Sequence, residues 1–158
     1  MIPRRGALAA FAAGALFLAG CVSAPPAALE GRIWDARGAR FIDEATLLAR
    51  LRDARYRLLG EVHDHPDHHR IRAALIRGMR DRAEVFFEQF DRAHDAALRR
   101  AQAAGADAEG LAVAGALDAK AWGWPLHRPL LEAAVAGMHP VRAANLSRDD
   151  ARRIARAG

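Results

Sequence analysis

Cysteine is almost absent from the chain, with Cys21 the single copy among 158 residues. That scarcity excludes a disulfide framework and any zinc site built from several thiolates. Lysine is nearly missing as well: Lys120 stands alone, and arginine supplies the rest of the basic charge. The sequence pI of about 10.8 therefore reflects arginine more than net charge, which is only +5. The arginines are dispersed among 19 acidic residues, so no nucleic-acid partner is expected. No uninterrupted apolar stretch reaches the roughly 20 residues needed to span a bilayer. What is present is ordinary for a folded domain: 52% hydrophobic and 27% charged residues exclude a disordered polyelectrolyte. The length allows one domain, and no internal repeat stands out.

The N-terminus has the character of a targeting segment. Arg4 and Arg5 precede an uncharged run of 14 residues, Ala7 to Gly20. Its length suits a secretory signal peptide rather than a spanning helix. The run ends in Leu18-Ala19-Gly20-Cys21, small residues followed by a thiol, as in a bacterial lipobox. Residues 1–20 are thus expected to be a lipoprotein signal peptide, with Cys21 the lipidation site and residues 21–30 a Pro-containing tether. Cleavage removes two arginines and no acid, leaving a formal charge of +3 and no free thiol for catalysis. Acyl chains on Cys21 would hold the protein at a membrane surface. Val22 after the cysteine points to the outer membrane, facing the periplasm.

From Gly31 onward short extended segments alternate with helical patterns. Ile33 to Asp35 and Arg40 to Ile42 flank Gly38 as a short extended pair, and Asp43 caps a helix over 44–53. Tyr56 to Gly60 reads as a strand, and a helix starts at Pro66 with Ile71, Leu75 and Met79 as its apolar stripe. Val85 to Phe87 reads as a second strand, followed by a helix from Asp91 to Ala104 that ends at Gly105. Residues 105–121 show no clear pattern. Pro140 to Leu146 is a third strand, and Ser147 caps a last helix from Arg148. Strands covered on both faces and separated by helices predict an α/β fold: an open, mainly parallel sheet with flanking helices.

In such sheets ligands gather beyond the carboxyl ends of the strands. The residues that leave the three strands there include Glu61, His63, Glu88, Gln89 and Asn145. Glu61 and His63 share a face while the chain stays extended. Carboxylates after strands are commonly caps, which is the reading for Asp64 and Asp91. Glu61 and Glu88 each follow a strongly apolar strand and, with His63, point to a binding site. The run His63 to His69 lacks helix-based zinc spacing, so His68 and His69 read as a solvated helix face and His63 is retained. A second cluster spans Trp122 to Leu131, with the helix starting at Pro129 and His127 and Arg128 in the preceding turn. Two indoles, an imidazole and a guanidinium suit a flat, apolar, doubly anionic ligand: the rings as walls, His127 bonded axially to iron, Arg128 paired with a propionate. Equally, the tryptophans can pack the core while His127 faces water.

Leu58-Leu59-Gly60-Glu61-Val62-His63-Asp64-His65-Pro66 resembles the opening motif of the ChaN-like haem-binding lipoproteins, within a superfamily that includes the Tiki metalloproteases. Phe87-Glu88-Gln89-Phe90-Asp91-Arg92, Trp122 to Leu131, and Ala143-Ala144-Asn145-Leu146-Ser147-Arg148 are similar to three further family motifs, in the same order. The resemblance runs from about Tyr56 to Arg148. It implies that residues 31–158 form the N-terminal portion of a ChaN-like α/β domain, its sheet incomplete at the C-terminal half because family members are longer. It also implies haem as cofactor, a role in haem or iron uptake at the bacterial envelope, and pairing of two subunits. On this basis His127 is the axial-ligand candidate, where the family motif has a tyrosine, and Arg128 the propionate contact. His63, Glu61 and Glu88 form the polar pocket. The rival expectation is a Tiki-like metal-dependent hydrolase using His63 and Glu88 with a divalent metal that activates water. A second Gly-x-x-His motif, used by that branch, is absent from this sequence, so a binding protein is favoured over an enzyme.

Overall fold

A computed structural model describes Leu29 and residues 31–158. The expected signal peptide, Cys21 and, apart from Leu29, the tether lie outside the described residues. Among the described residues no helix is long and apolar enough to cross a membrane. All the regular elements fall in one unit, Ile33–Gly158.

The unit opens with an antiparallel hairpin, β1 (Ile33–Asp35) and β2 (Arg40–Ile42), in which the Trp34 and Phe41 rings meet edge to face. Asp43 then accepts from the Thr46 amide at 2.7 Å and starts helix α1 (Glu44–Asp53). Asp35 pairs with Arg50 at 2.8 Å and ties the hairpin to that helix. Helix α2 (Pro66–Gly78) carries its proline in the first turn and uses the His65 ring as N-cap. Strand β3 (Val85–Asp91) runs parallel to β4 (Val141–Asn145). Between them lie a 3₁₀ turn (Arg92–His94), α3 (Asp95–Ala103), α4 (Ala108–Ala114) and α5 (Arg128–Ala136). Ser147 accepts from the Asp150 amide and caps α6 (Arg148–Ala157). The α/β expectation holds, with helices flanking a small parallel sheet.

The core forms where β3 and β4 meet α3, α4 and α5. Phe90, Ile76, Leu98, Leu111, Leu130, Leu131 and Val141 are its largest fully buried apolar members, each at most 2% exposed. Gln102 pins the start of β4 to α3: its amide donates to the His139 carbonyl at 2.7 Å and its oxygen accepts from Val141 N–H at 3.0 Å. Asp95, about two turns earlier on α3, accepts from the Ala143 amide two residues further along β4.

Four sequence expectations are corrected. Tyr56–Gly60 forms no strand, because a cavity lies between it and Val85–Glu88 where a ladder partner would be needed. The segment still alternates inward and outward, with Leu59 and Glu61 turned in and Leu58 95% exposed. On α2 the buried stripe is His69, Ala73 and Ile76, not Ile71, Leu75 and Met79. That stripe is the face packed against α5, and His69 is therefore buried rather than solvated. The chain after Asp91 makes a 3₁₀ turn before α3 begins at Asp95, instead of one continuous helix. Part of the patternless stretch 105–121 is helix α4, with Asp107 as its N-cap.

Gly115, which ends α4, leaves no room for a side chain: a Cβ there would meet the Phe90 ring and the Leu98 methyl group. Gly115→Ala is expected to destabilise the fold by about 1–3 kcal/mol through overpacking. Urea unfolding should show the midpoint falling with an unchanged slope.

Candidate functional site

Three chain segments converge on one buried carboxylate. Glu61 follows the extended Tyr56–Gly60 segment, and its side chain is only 3% exposed. One oxygen, Oε1, accepts from His63 Nδ1 at 2.9 Å and lies 3.9 Å from His127 Nδ1. The other, Oε2, lies 3.0 Å from His69 Nδ1 and accepts from the Arg72 guanidinium. Helix α2 supplies His69 and Arg72 three residues apart, which places both at the same edge of the helix. The turn before α5 supplies His127, whose backbone caps that helix.

The imidazoles form a chain of edge-to-face contacts. His69 meets His127 at 4.4 Å between centroids, His127 meets Trp122 at 5.9 Å, and Trp122 meets His63 at 5.3 Å. His69 Nε2 lies 2.8 Å from the His63 carbonyl, which can only accept, so that nitrogen carries the proton. His63 differs from its neighbours in being open to solvent, with a side chain 61% exposed. Because Glu61 also can only accept, the His63 proton sits on Nδ1 and the Nε2 lone pair is left exposed.

Glu88 completes the outer rim, 3.9 Å from His63 Nδ1. It reaches this position through the ordinary alternation of β3, which turns Phe86 and Glu88 outward and buries Phe87 and Gln89. The irregularity between Phe87 and Asp91 shows itself one residue later, where Phe90 is buried directly after Gln89. Arg72 feels this carboxylate too. Burial pulls its pKa down, and the Glu88 charge works against that shift.

The rim opens on a cavity of about 1140 Å³, which is lined by His63, Glu61, Glu88 and Arg72 and also by the charged residues Arg55, Arg57, Asp81, Arg82 and Glu84. Leu58, Leu59, Ile76, Met79, Val85 and Phe86 give it apolar walls. Its size exceeds the roughly 300–1,000 Å³ typical of clefts for small organic ligands.

The sequence expectation that Glu61, His63 and Glu88 share one place matches this geometry. His127 joins them from behind, 1% exposed and walled off by Trp122 and His69, so it does not face the cavity. Arg128 lies on the surface as the first residue of α5, paired with Glu132 at 2.9 Å and Glu109 at 3.5 Å. Asn145 ends β4 opposite Asp91 and does not line the cavity. His69 and Arg72 were missed by sequence reasoning. The available signal was the spacing of His69, Ala73 and Ile76 at i, i+4 and i+7, a helical face passed over for bulkier residues.

Neither His127 nitrogen makes a well-aligned hydrogen bond. Its pKa is lowered from 6.5 to about 4, first by burial and then by repulsion from His69 when that ring is protonated, from the Arg72 guanidinium, and from His63 when it too is protonated, with the Trp122 backbone opposing. The folded pKa lies below the unfolded one, so the stability tied to neutral His127 is full above about pH 6.5. It is lost as pH falls toward about 4, by up to about 3 kcal/mol. Urea unfolding at pH 7 and pH 4 should show this loss in the native chain and a smaller one in His127→Gln. Equal losses in the two proteins would contradict a buried neutral imidazole.

Comparison with known proteins places this arrangement. The family model described as "Haem-binding uptake, Tiki superfamily, ChaN" matches residues 47–158. Among solved structures the chain is similar to ChaN of Campylobacter jejuni, described as binding haem cofacially, with a TM-score of 0.68 and 21% sequence identity. The match covers 80% of this chain and 53% of that one, so the chain spans about half the length of the Campylobacter protein. No curated protein matches it. A family model that covers most of the chain, with a shared fold, leads to one conclusion: the chain belongs to the ChaN family of the Tiki superfamily.

Proposed function

We propose that this protein binds haem for haem or iron uptake at the bacterial envelope, held to the outer membrane by a lipid on Cys21 and facing the periplasm. One observation carries the reading: His63 presents an open Nε2 at the mouth of a large, apolar-walled cavity while Glu61 holds its Nδ1–H. A carboxylate on the far nitrogen fixes the tautomer and strengthens the imidazole as a donor to iron. His63 therefore takes the axial role that the sequence suggested for His127, since His127 is shut behind Trp122. Bound haem would supply a ferric centre with an open coordination position. The chain's own part is to orient His63, to cover the ring with Leu58, Leu59 and Phe86, and to place Arg72 near its edge. Arg128, committed to Glu109 and Glu132, would have to leave both to meet a propionate. The cofacial haem binding described for the Campylobacter protein supports pairing of two chains around the bound groups.

A metal-dependent hydrolase at the outer rim has its own support, because Glu61, His63 and Glu88 offer ligand atoms within 4.8 Å of one another. The haem reading is preferred because the long apolar walls have no task in water activation.

Titration of the full chain with haemin should give a saturable Soret shift at one haem per chain. His63→Ala should weaken binding at least tenfold or change the spectrum. An unshifted Soret band would refute haem binding, and an identical shift in the variant would refute His63 as ligand. The anchor is tested separately: cells given radiolabelled palmitate should label the native chain and not Cys21→Ala.

A further inference from the structure

Behind the outer rim lies a second constellation, which shares Glu61 with the haem reading and adds two imidazoles that reading does not use. Glu61, His69 and His127 each offer one ligand atom, all within 4.8 Å of one another, and both imidazoles are 1% exposed. A tetrahedral ion with bonds of 2.0–2.2 Å needs ligand atoms roughly 3.3 Å apart. The observed separations, 3.0 Å from Glu61 Oε2 to His69 Nδ1 and 3.9 Å from Oε1 to His127 Nδ1, bracket that value.

Hydrogen-bond chemistry points the same way. With its proton on Nε2 toward the His63 carbonyl, His69 keeps an Nδ1 lone pair 3.0 Å from a carboxylate oxygen but too poorly aligned with it for a hydrogen bond. Arg72 reaches the same oxygen, yet His69 Nδ1 is left with no hydrogen-bond partner. His127 has two buried nitrogens in the same condition. A carbonyl on the far nitrogen of an imidazole is also the usual outer support of a metal-bound histidine. Arg72 occupies one Glu61 oxygen, so an ion would take the other oxygen or displace the guanidinium.

We propose that Glu61, His69 and His127 form an inner site for one divalent transition-metal ion of the zinc or cobalt class, behind the His63–Glu88 rim. Two imidazoles and one carboxylate select such an ion over calcium or magnesium, which prefer oxygen ligands alone. The site shares Glu61 with the haem reading but rests on the two buried imidazoles, which that reading leaves without a role.

The test titrates the metal-free full chain with Co²⁺. One equivalent should bind, giving the visible absorption of a four-coordinate ion and quenching the fluorescence of Trp122, whose ring touches His127. His69→Gln and His127→Gln should each weaken binding at least tenfold, while His94→Ala, away from the cluster, should not. Circular dichroism checks that the variants fold. X-ray absorption of the native cobalt complex counts two imidazoles without needing any variant. Failure to bind one equivalent, an oxygen-only shell, or native affinity in both folded Gln variants would overturn the site. So would a loss in His63→Ala equal to that in His69→Gln, since it would place the ion at the rim. A chain that binds cobalt but leaves the Soret band unshifted would keep this site and lose the haem reading.

Discussion

One buried charge organises this end of the molecule. Glu61 sits at 3% side-chain exposure, and an isolated carboxylate there would carry a desolvation cost of several kcal/mol. Arg72 cancels the charge, and His63 donates to one oxygen. Neither partner is adjacent in sequence to the others that crowd the carboxylate, so the requirement to solvate Glu61 couples three pieces of chain: the extended segment before it, helix α2, and the turn entering α5. Packing of α2 on α5 brings His69 and His127 into contact and is what closes the carboxylate off from water. Removing one member of a buried pair typically costs about 3–5 kcal/mol, because the other charge is left uncompensated. The site and the stability of this helix pair are thus the same structural fact.

The rim is built on different terms. His63 and Glu88 face solvent and contribute little to holding the fold, which frees them for a ligand. Their placement depends on backbone: the alternation of β3 puts Glu88 on its outward face, and the extended segment before Glu61 supplies the other wall of the cavity. That cavity exposes Leu58 and Phe86, at 95% and 60%, and faces a segment whose amides find no ladder partner among the described residues. Apolar surface left in water costs about 25 cal/mol per Å². A flat apolar ligand that covers both walls recovers that cost, so the same feature that makes the edge unfavourable in isolation gives the cleft its affinity for a ring system.

Much of this was legible in the sequence, for reasons that differ by residue. The Asp43, Pro66, Gly105 and Ser147 signals located helix ends because capping chemistry is local. The rule that strand exits gather at one edge brings Glu61, His63 and Glu88 together, although Tyr56–Gly60 forms no strand and Glu88 lies within β3 rather than beyond its end. Tyr56–Gly60 has the composition of a strand and its alternation, but a strand also needs a neighbour, and pairing is not a property of five residues. His69 was hidden for a related reason. Hydrophobic periodicity weights Ile71 and Leu75 above an imidazole, and only the packing of α5 reveals that the polar residue lies on the inner face. His127 and Arg128 are adjacent in sequence yet separate at the helix start, one turned inward and one outward.

The charge state of the inner cluster follows from these contacts. Glu61 and Arg72 neutralise each other, so any further positive charge among the imidazoles is opposed by the guanidinium and by burial together. His127 responds by staying neutral, which keeps lone pairs on its ring in a place where water does not reach. Neutral imidazoles around a carboxylate are what a soft-to-borderline cation requires, and they are costly to leave without one, since each buried unpaired nitrogen forfeits a hydrogen bond worth roughly 1–3 kcal/mol. A chain selected only to bury Arg72 against Glu61 could have lined this space with leucine. Three ring nitrogens facing one carboxylate instead mark a polar interior kept at a cost in stability, and such costs are characteristically borne at functional sites.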